Sequence, residues 1–246
     1  YISCNIRDPQ NIIFGVFMDV LDKTVLITGG ASGLGFATAK EFISSGANVM
    51  LVDLNEEDVK KASEELGDNS AYAIANVTEE ESVQNCISKT MEKFGSIHVV
   101  VNCAGIGSAS KTVGKDGAHP MDYFKRVKDI NLVGTFNVLR LAAVEMGKNE
   151  PMEHNECGVI INTASVAAFD GQIGQAGYSA SKAGVVGMTL PRPTCAMRSR
   201  TCSCKTSNDR ATLSLGMVTF CGRGREIAQY CHSFRGQRAC FFRHYK

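Results

Sequence analysis

Three residues of this chain could do acid–base chemistry together: Ser165, Tyr178 and Lys182. Tyr178 and Lys182 stand at i and i+4, which on a helix puts both side chains on one face, a turn apart. An ammonium beside a phenol favours phenolate and draws the tyrosine pKa down from its free value of about 10. A tyrosine tuned in that way exchanges a proton with an alcohol or a carbonyl near neutral pH. A serine hydroxyl delivered by another segment can hold the same oxygen. Tyr-x-x-x-Lys also arises by chance, so the surrounding sequence has to decide whether the three belong to one site.

The segments around them alternate. Residues 24–28, 49–52, 71–75, 97–101 and 159–161 are short apolar, β-branched runs that read as buried strands. Between them, residues 36–45, 58–66, 79–94 and a long stretch 120–148 have helical spacing, and a last helix, 178–190, stops at Pro191-Arg192-Pro193. Continuous apolar strands alternating with helices specify a parallel sheet covered on both faces, an α/β doubly wound Rossmann fold.

The first strand runs into Thr28-Gly29-Gly30-Ala31-Ser32-Gly33-Leu34-Gly35 and then a helix. Gly29, Gly33 and Gly35 let backbone approach a pyrophosphate, and the helix N-terminus offers it unpaired N–H groups. Asp53 ends the second strand, where a carboxylate accepts both ribose hydroxyls and repels a 2′-phosphate. No arginine neighbours it, so NAD is favoured over NADP; the plainer reading is a solvated acid opening a loop. Asn102-Cys103-Ala104-Gly105 ends the fourth strand, and the small Ala104 and Gly105 suit a ribose or nicotinamide lying on the backbone. No base is placed for Cys103, which reads as a packing residue. Asn131 stands inside the long helix, either as a buried amide bonded to backbone or as the holder of a relay water.

In this order and spacing, these motifs resemble the short-chain dehydrogenase/reductase family. The segments 134–138, 159–172 and 185–191 are further similar to its type 2 3-hydroxyacyl-CoA dehydrogenase branch, also called 17β-hydroxysteroid dehydrogenase type 10, and the likeness spans about residues 21–191. It implies Tyr178 as general acid/base, Lys182 as the cation that tunes it and holds the nicotinamide ribose, Ser165 on the substrate oxygen, and Asn131 anchoring a relay water. It implies NAD contacts from Ser32, Leu34, Asp53 and Cys103. Asn76 and Val77 match a family Asp-Val pair at the adenine; with Asn76 in place of the acid, the expectation is a modest loss of affinity through the amide oxygen. The implied reaction is reversible oxidation of a 3-hydroxyacyl-CoA, or of a hydroxysteroid, with hydride passing to NAD, in a mitochondrial homotetramer.

The chain leaves that pattern after Pro191. Residues 1–190 hold 15 Lys and Arg against 23 Asp and Glu, whereas residues 191–246 hold 11 against 2 and six of the ten cysteines. No Pro-Gly follows, and no strand or lid is readable there. The break reads as a shifted frame, a retained intron or a mispredicted exon, with 191–246 a non-native tail in which the last strands and lid of the family are missing. The expected result is a bare sheet edge, a compromised subunit interface, and the alternative of an inactive product that keeps only cofactor or partner binding. Cys202-x-Cys204 is too tight for a zinc knuckle, so no metal is expected, and nucleic-acid binding by the basic tail is a minor reading. Residues 1–17 read as an extension ahead of a domain that starts at Met18. They make a poor secretory signal and a weak presequence, which leaves a cytoplasmic location open. No apolar run is long enough to span a membrane.

Overall fold

The computed structural model describes residues 19–107, 109–151, 156–189, 197–201 and 216–222. The extension 1–17 and most of the tail after 191 lie outside the described residues. The chain runs β1 (Thr24–Thr28), α1 (Gly33–Ser44), β2 (Asn48–Asp53), α2 (Glu56–Leu66), β3 (Ser70–Ile74), α3 (Glu80–Phe94) and β4 (Val99–Asn102). A small hairpin, β5 (Val113–Gly114) with β6 (Gly117–Ala118), follows. Then come α4 (Met121–Lys128), α5 (Thr135–Met146), β7 (Glu156–Thr163), α6 (Ala176–Thr189), β8 (Met197–Thr201) and β9 (Gly216–Gly222).

Seven strands form one sheet in the order β3-β2-β1-β4-β7-β9-β8, and the first five are parallel. Side chains alternate across it, as the pleat requires. Val25, Ile27, Val49, Leu51, Val99 and Val101 pack with Ala39 and Phe42 of α1 and with Val59 and Ala62 of α2. Leu26, Met50, Val52 and Val100 pack on the opposite face with Val83 and Ile87 of α3 and with Val138, Ala142 and Met146 of α5. Burying each large aliphatic side chain is worth about 1.5–3 kcal/mol, which is why these strands read as unbroken apolar runs.

Local signals set the helix ends. Asn55 Oδ1 accepts the Asp58 N–H at 3.3 Å to cap α2, whose first turn carries Glu56, Glu57 and Asp58 against the positive end of the helix dipole. α3 stops at Gly95, left-handed at φ 77°.

Two sequence expectations change. The long helix expected over 120–148 is two helices joined by a π-helical segment, Asp129–Gly134. The widened turn swings Asn131 inward to bond a loop across the sheet edge, a use typical of π-bulges. The edge of β7, expected to be bare, is paired: β9 lies antiparallel on it from Glu156↔Gly222 to Thr163↔Gly216, and β8 pairs antiparallel with β9. Composition hid this strand because Met217-Val218-Thr219-Phe220 is a short apolar run inside a basic tail. An open edge of N–H and C=O groups takes such a run readily.

Candidate active site

The strand order turns around at β1: the chain builds outward to β2 and β3, then returns to place β4 on the other side. In doubly wound sheets the crevice at that switch, beyond the carboxyl ends of the strands, is where ligands bind. The sequence-expected residues follow this edge in strand order: Asn76 and Val77 after β3, Asp53 at the end of β2, the glycine turn after β1, Cys103–Gly105 after β4, and Ser165 after β7.

The glycine turn fits tightly. A Cβ on Gly35 would lie 2.1 Å from the Gly29 carbonyl oxygen, so only glycine lets α1 start this close to the strand end. Gly29, at φ +64°, lies against the backbone of Cys103 and Ala104, where a Cβ would come within 2.8 Å of the Ala104 nitrogen. Thr28 Oγ1 accepts that same Ala104 N–H at 3.3 Å, tying the turn to the β4 loop. The Ser32 side chain makes no capping bond, and it is exposed at the head of α1 beside the N-terminal N–H groups. Asp53 Oδ2 accepts the Ala31 N–H at 3.1 Å and Oδ1 accepts the Leu54 N–H at 2.8 Å, so its carboxylate is fastened to the glycine turn.

Asn76 is already engaged by its neighbours. Its side-chain oxygen accepts from both the N–H and the hydroxyl of Thr78, at 3.1 and 2.8 Å, while its amide donates to Glu79 at 2.7 Å. It shapes the entry to α3, and an adenine amino group would have to compete with Thr78 for the oxygen. Val77 is buried; its carbonyl accepts from Asn137 Nδ2 at 3.0 Å.

At the other end of the edge, α6 carries both Tyr178 and Lys182. Tyr178 is half-buried, and Lys182 is 6% exposed, with its ammonium 5.7 Å from the centre of the tyrosine ring. Lys182 Nζ donates to the Thr163 carbonyl at 2.7 Å. Burial is the main influence on it and lowers its pKa from 10.5 to about 8, against a smaller opposing pull from Cys103. It is therefore still mostly an ammonium at neutral pH. Cys103 is pushed up by burial, only partly offset by the Thr163 hydroxyl on its sulfur and by Lys182. A protonated thiol suits the packing role read from the sequence.

Ser165 begins the 3₁₀ turn Val166–Ala168, and its Oγ accepts the Ala167 N–H at 3.2 Å. That turn packs on α6, which brings the serine segment to the tyrosine helix. Asn131 is fully buried. Its Oδ1 accepts the Ile106 N–H at 2.8 Å, and its Nδ2 donates to the Ile106 carbonyl at 2.9 Å and to Ser181 Oγ at 3.1 Å. The amide is thus bonded to the Ile106 backbone and to Ser181. Gly105 sits directly against this junction: a Cβ there would lie 3.1 Å from Asn131 Oδ1 and 3.8 Å from Lys182 Nζ.

Several supporting groups escaped the sequence reading. Ser181 links Asn131 to the Tyr178 carbonyl, donating to it at 2.7 Å. Thr163 supplies the seat for Lys182. The signal that could have exposed Ser181 is a hydroxyl beside Lys182 on the inward face of the helix. Thr163 acts through its carbonyl, for which no residue-type signal exists. Next to the site, a cleft of about 590 Å³ is lined by Lys111, Val113, Gln172, Ile173 and Ser179, between the β5–β6 hairpin and the segment leading into α6.

Parallel strands with a glycine turn at the switch point define a doubly wound Rossmann fold, and the chain belongs to the short-chain dehydrogenase family, whose model matches residues 23–191. Among known proteins it is similar to the 3-hydroxyacyl-CoA dehydrogenase type-2 of Bos taurus, with 56% identity over 168 residues, 68% of this chain and 64% of the relative. The Drosophila melanogaster protein of the same name is 54% identical over 168 residues, 66% of its length. The chain thus spans just under two thirds of these curated relatives. Among solved structures, 3-hydroxyacyl-CoA dehydrogenase type-2 from Mycobacterium avium matches at 37% identity and TM-score 0.66, over 71% of this chain and 69% of that one. An NAD+-bound xylitol dehydrogenase matches at 32% identity and TM-score 0.62, over 70% and 64% respectively.

Proposed function

We propose that this chain is an NAD-dependent oxidoreductase that interconverts a 3-hydroxyacyl-CoA, or a related secondary alcohol such as a hydroxysteroid, with its ketone. The observation that carries this reading is the buried Lys182 ammonium 5.7 Å from the Tyr178 ring, on a helix at the same sheet edge as the glycine turn. The cradle fits a dinucleotide: glycines admit its pyrophosphate at the head of α1, Asp53 meets a ribose diol, and Asn76 and Val77 border the adenine. Ser32 and Leu34 would flank the phosphates, with Cys103, Ala104 and Gly105 at the nicotinamide end.

When bound, the nicotinamide supplies a two-electron hydride acceptor. The chain's own residues handle the proton and the geometry. Ser165 Oγ donates to the substrate oxygen and holds it at the tyrosine. Tyr178 Oη takes the hydroxyl proton in the oxidative direction and returns it to the carbonyl oxygen in the reductive one. Lys182, anchored on Thr163, keeps positive charge next to the phenolate that forms, and its other N–H groups reach toward a ribose. Asn131 Oδ1, which accepts the Ile106 N–H, would also take a relay water; its carbonyl already accepts the Thr135 hydroxyl at 2.8 Å. The cleft beside α6 offers apolar Val113 and Ile173, 74% and 90% exposed, to an acyl chain. By likeness to its branch of the family, we assign the protein to fatty-acid metabolism in the mitochondrion, as a homo-oligomer.

The test is NADH consumption at 340 nm by the purified chain with acetoacetyl-CoA, beside Tyr178→Phe. Turnover that disappears in the variant supports the proposal. NADH binding without turnover would overturn the enzymatic reading and leave a cofactor-binding protein.

A further inference from the structure

Polar side chains cross the sheet where apolar ones are expected. Asn102 of β4 and Asn162 of β7 are 3% and 0% exposed, and Thr189, the last residue of α6, is also 0% exposed. They are joined in series. Asn102 Nδ2 donates to Asn162 Oδ1 at 2.9 Å, Asn162 Nδ2 donates to Thr189 Oγ1 at 3.3 Å, and the threonine hydroxyl donates onward to the Val185 carbonyl at 2.6 Å. At its other end, Asn102 Oδ1 accepts from Thr28 Oγ1 at 3.4 Å, on the residue that opens the glycine turn.

Burying an amide costs more than burying an aliphatic side chain unless every group is satisfied, and such networks hold one arrangement rigidly. Asn162 fits that description, because it bridges strand to strand on one side and strand to helix on the other. Its neighbour, Thr163, provides the carbonyl on which Lys182 Nζ rests. Lys182, Val185 and Thr189 lie at i, i+3 and i+7, one buried face of α6. Consecutive residues of β7 therefore grip this face at two heights: the Asn162 side chain at Thr189 and the Thr163 backbone at Lys182.

We infer that Asn162, acting through Thr189, is a positioning residue that fixes the rotation and depth of α6 on β7 and so holds the Lys182 ammonium at its seat beside Tyr178. The inference rests on the reading of Lys182 as a working residue only for its kinetic consequence; the position of the ammonium can be followed without any turnover.

The experiment compares the full chain with Thr189→Val, which keeps the shape and removes the hydroxyl, Asn162→Leu, which removes the bridge, and Thr189→Ser, which restores it. The first readout is the titration of the Lys182 side chain by 13Cε NMR of lysine-labelled protein, assigned with Lys182→Arg. Thr189→Val should move the Lys182 midpoint upward by about one pH unit as the ammonium escapes to water, and Thr189→Ser should return it to the wild-type value. The second readout is NADH affinity by fluorescence, expected to weaken about tenfold in Thr189→Val and to recover in Thr189→Ser, since small misplacement of a positioning group carries costs of this order. If Thr189→Val is less stable but leaves the Lys182 midpoint and NADH affinity unchanged, the pair is only structural and the inference falls. Should Asn162→Leu fail to fold, the two threonine variants decide alone. If the wild-type chain binds no NADH, the functional proposal fails, while the titration still judges the positioning role.

Discussion

Removing the Lys182 charge should change stability with a sign that inverts across the alkaline range. In the folded chain this amine titrates at about 8, against 10.5 when free. The difference, about 2.5 units at 1.36 kcal/mol each, makes the ammonium roughly 3 kcal/mol less favourable in the fold than in the unfolded chain, relative to the neutral amine. The group's folded pKa is depressed, so below pH 8 both states carry the proton and the folded state bears the whole penalty. Between pH 8 and 10.5 the unfolded chain keeps the proton that the fold has shed, and stability rises with pH through that window. Lys182→Met removes the penalty but also the hydrogen bond to the Thr163 carbonyl, a loss of about 1 kcal/mol. At pH 7 the variant should therefore be more stable by about 1–2 kcal/mol; by pH 10 the two should be about equal, and above 10.5 the order should reverse, because the neutral amine still holds Thr163 and methionine does not. Urea unfolding followed by far-UV circular dichroism, at pH 7, 8.5 and 10 in both proteins, measures the difference; groups that titrate alike in the two cancel. A wild-type minus variant difference that stays flat from pH 7 to 10 would refute the argument that the lysine is held charged against its burial. NADH affinity should fall in the same variant at every pH, which would mark the lysine as kept for function at the expense of stability.

Gly35→Ala would drive a methyl group to 2.1 Å from the Gly29 carbonyl oxygen, and the overpacking should cost about 3 kcal/mol or more and abolish NADH binding; a folded variant with unchanged affinity would contradict the close approach. Asn131→Leu should destabilise the chain by about 2–4 kcal/mol by leaving both backbone groups of Ile106 without partners, with faster amide exchange at Ile106 as the local sign. His98, half-buried with Nδ1 accepting the Thr24 N–H at 3.2 Å, has its pKa lowered by burial and by Lys23. The unfolded chain thus takes this proton first, and stability should drop as pH falls through about 6.5; His98→Gln, which retains an acceptor, should flatten that slope in urea titrations.

The central strands were legible because the same physics writes both sequence and fold. A strand covered on two faces must be apolar on both, and 24–28, 49–52 and 159–161 announce this without an alternating pattern. The glycine turn and the tyrosine–lysine pair were legible because their geometry is local. What escaped was set by partners far along the chain. The π-helical break is held by Asn131 bonding Ile106, 25 residues away, so the helical spacing of 120–148 gave no sign of it. Asn76 is a local exception: a short-range Asx turn with Thr78 occupies its oxygen, for which an adenine amino group would compete. Asn102, Asn162 and Thr189 stand far apart in sequence, so nothing local linked them. Only when the strands are side by side does a buried hydrogen-bonded series appear.

The edge pairing of β7 bears on how far the site depends on the tail. Among the described residues, the side-chain hydrogen bonds around Ser165, Tyr178 and Lys182 come from residues 23–191, the part that matches the family. The seat of Lys182, however, is a backbone carbonyl on β7, and β7 pairs on its inner edge with β4 and on its outer edge with β9. Thr163 lies opposite Gly216, at the end of that outer ladder. A strand pinned on both edges keeps its carbonyls in a fixed plane; pinned on one, it can twist and splay at its end. The tail therefore touches the site through the sheet, by the β9 ladder on β7. The proposed catalytic residues lie in the matched segment, and the rigidity of the carbonyl that holds Lys182 is shared with a strand outside it.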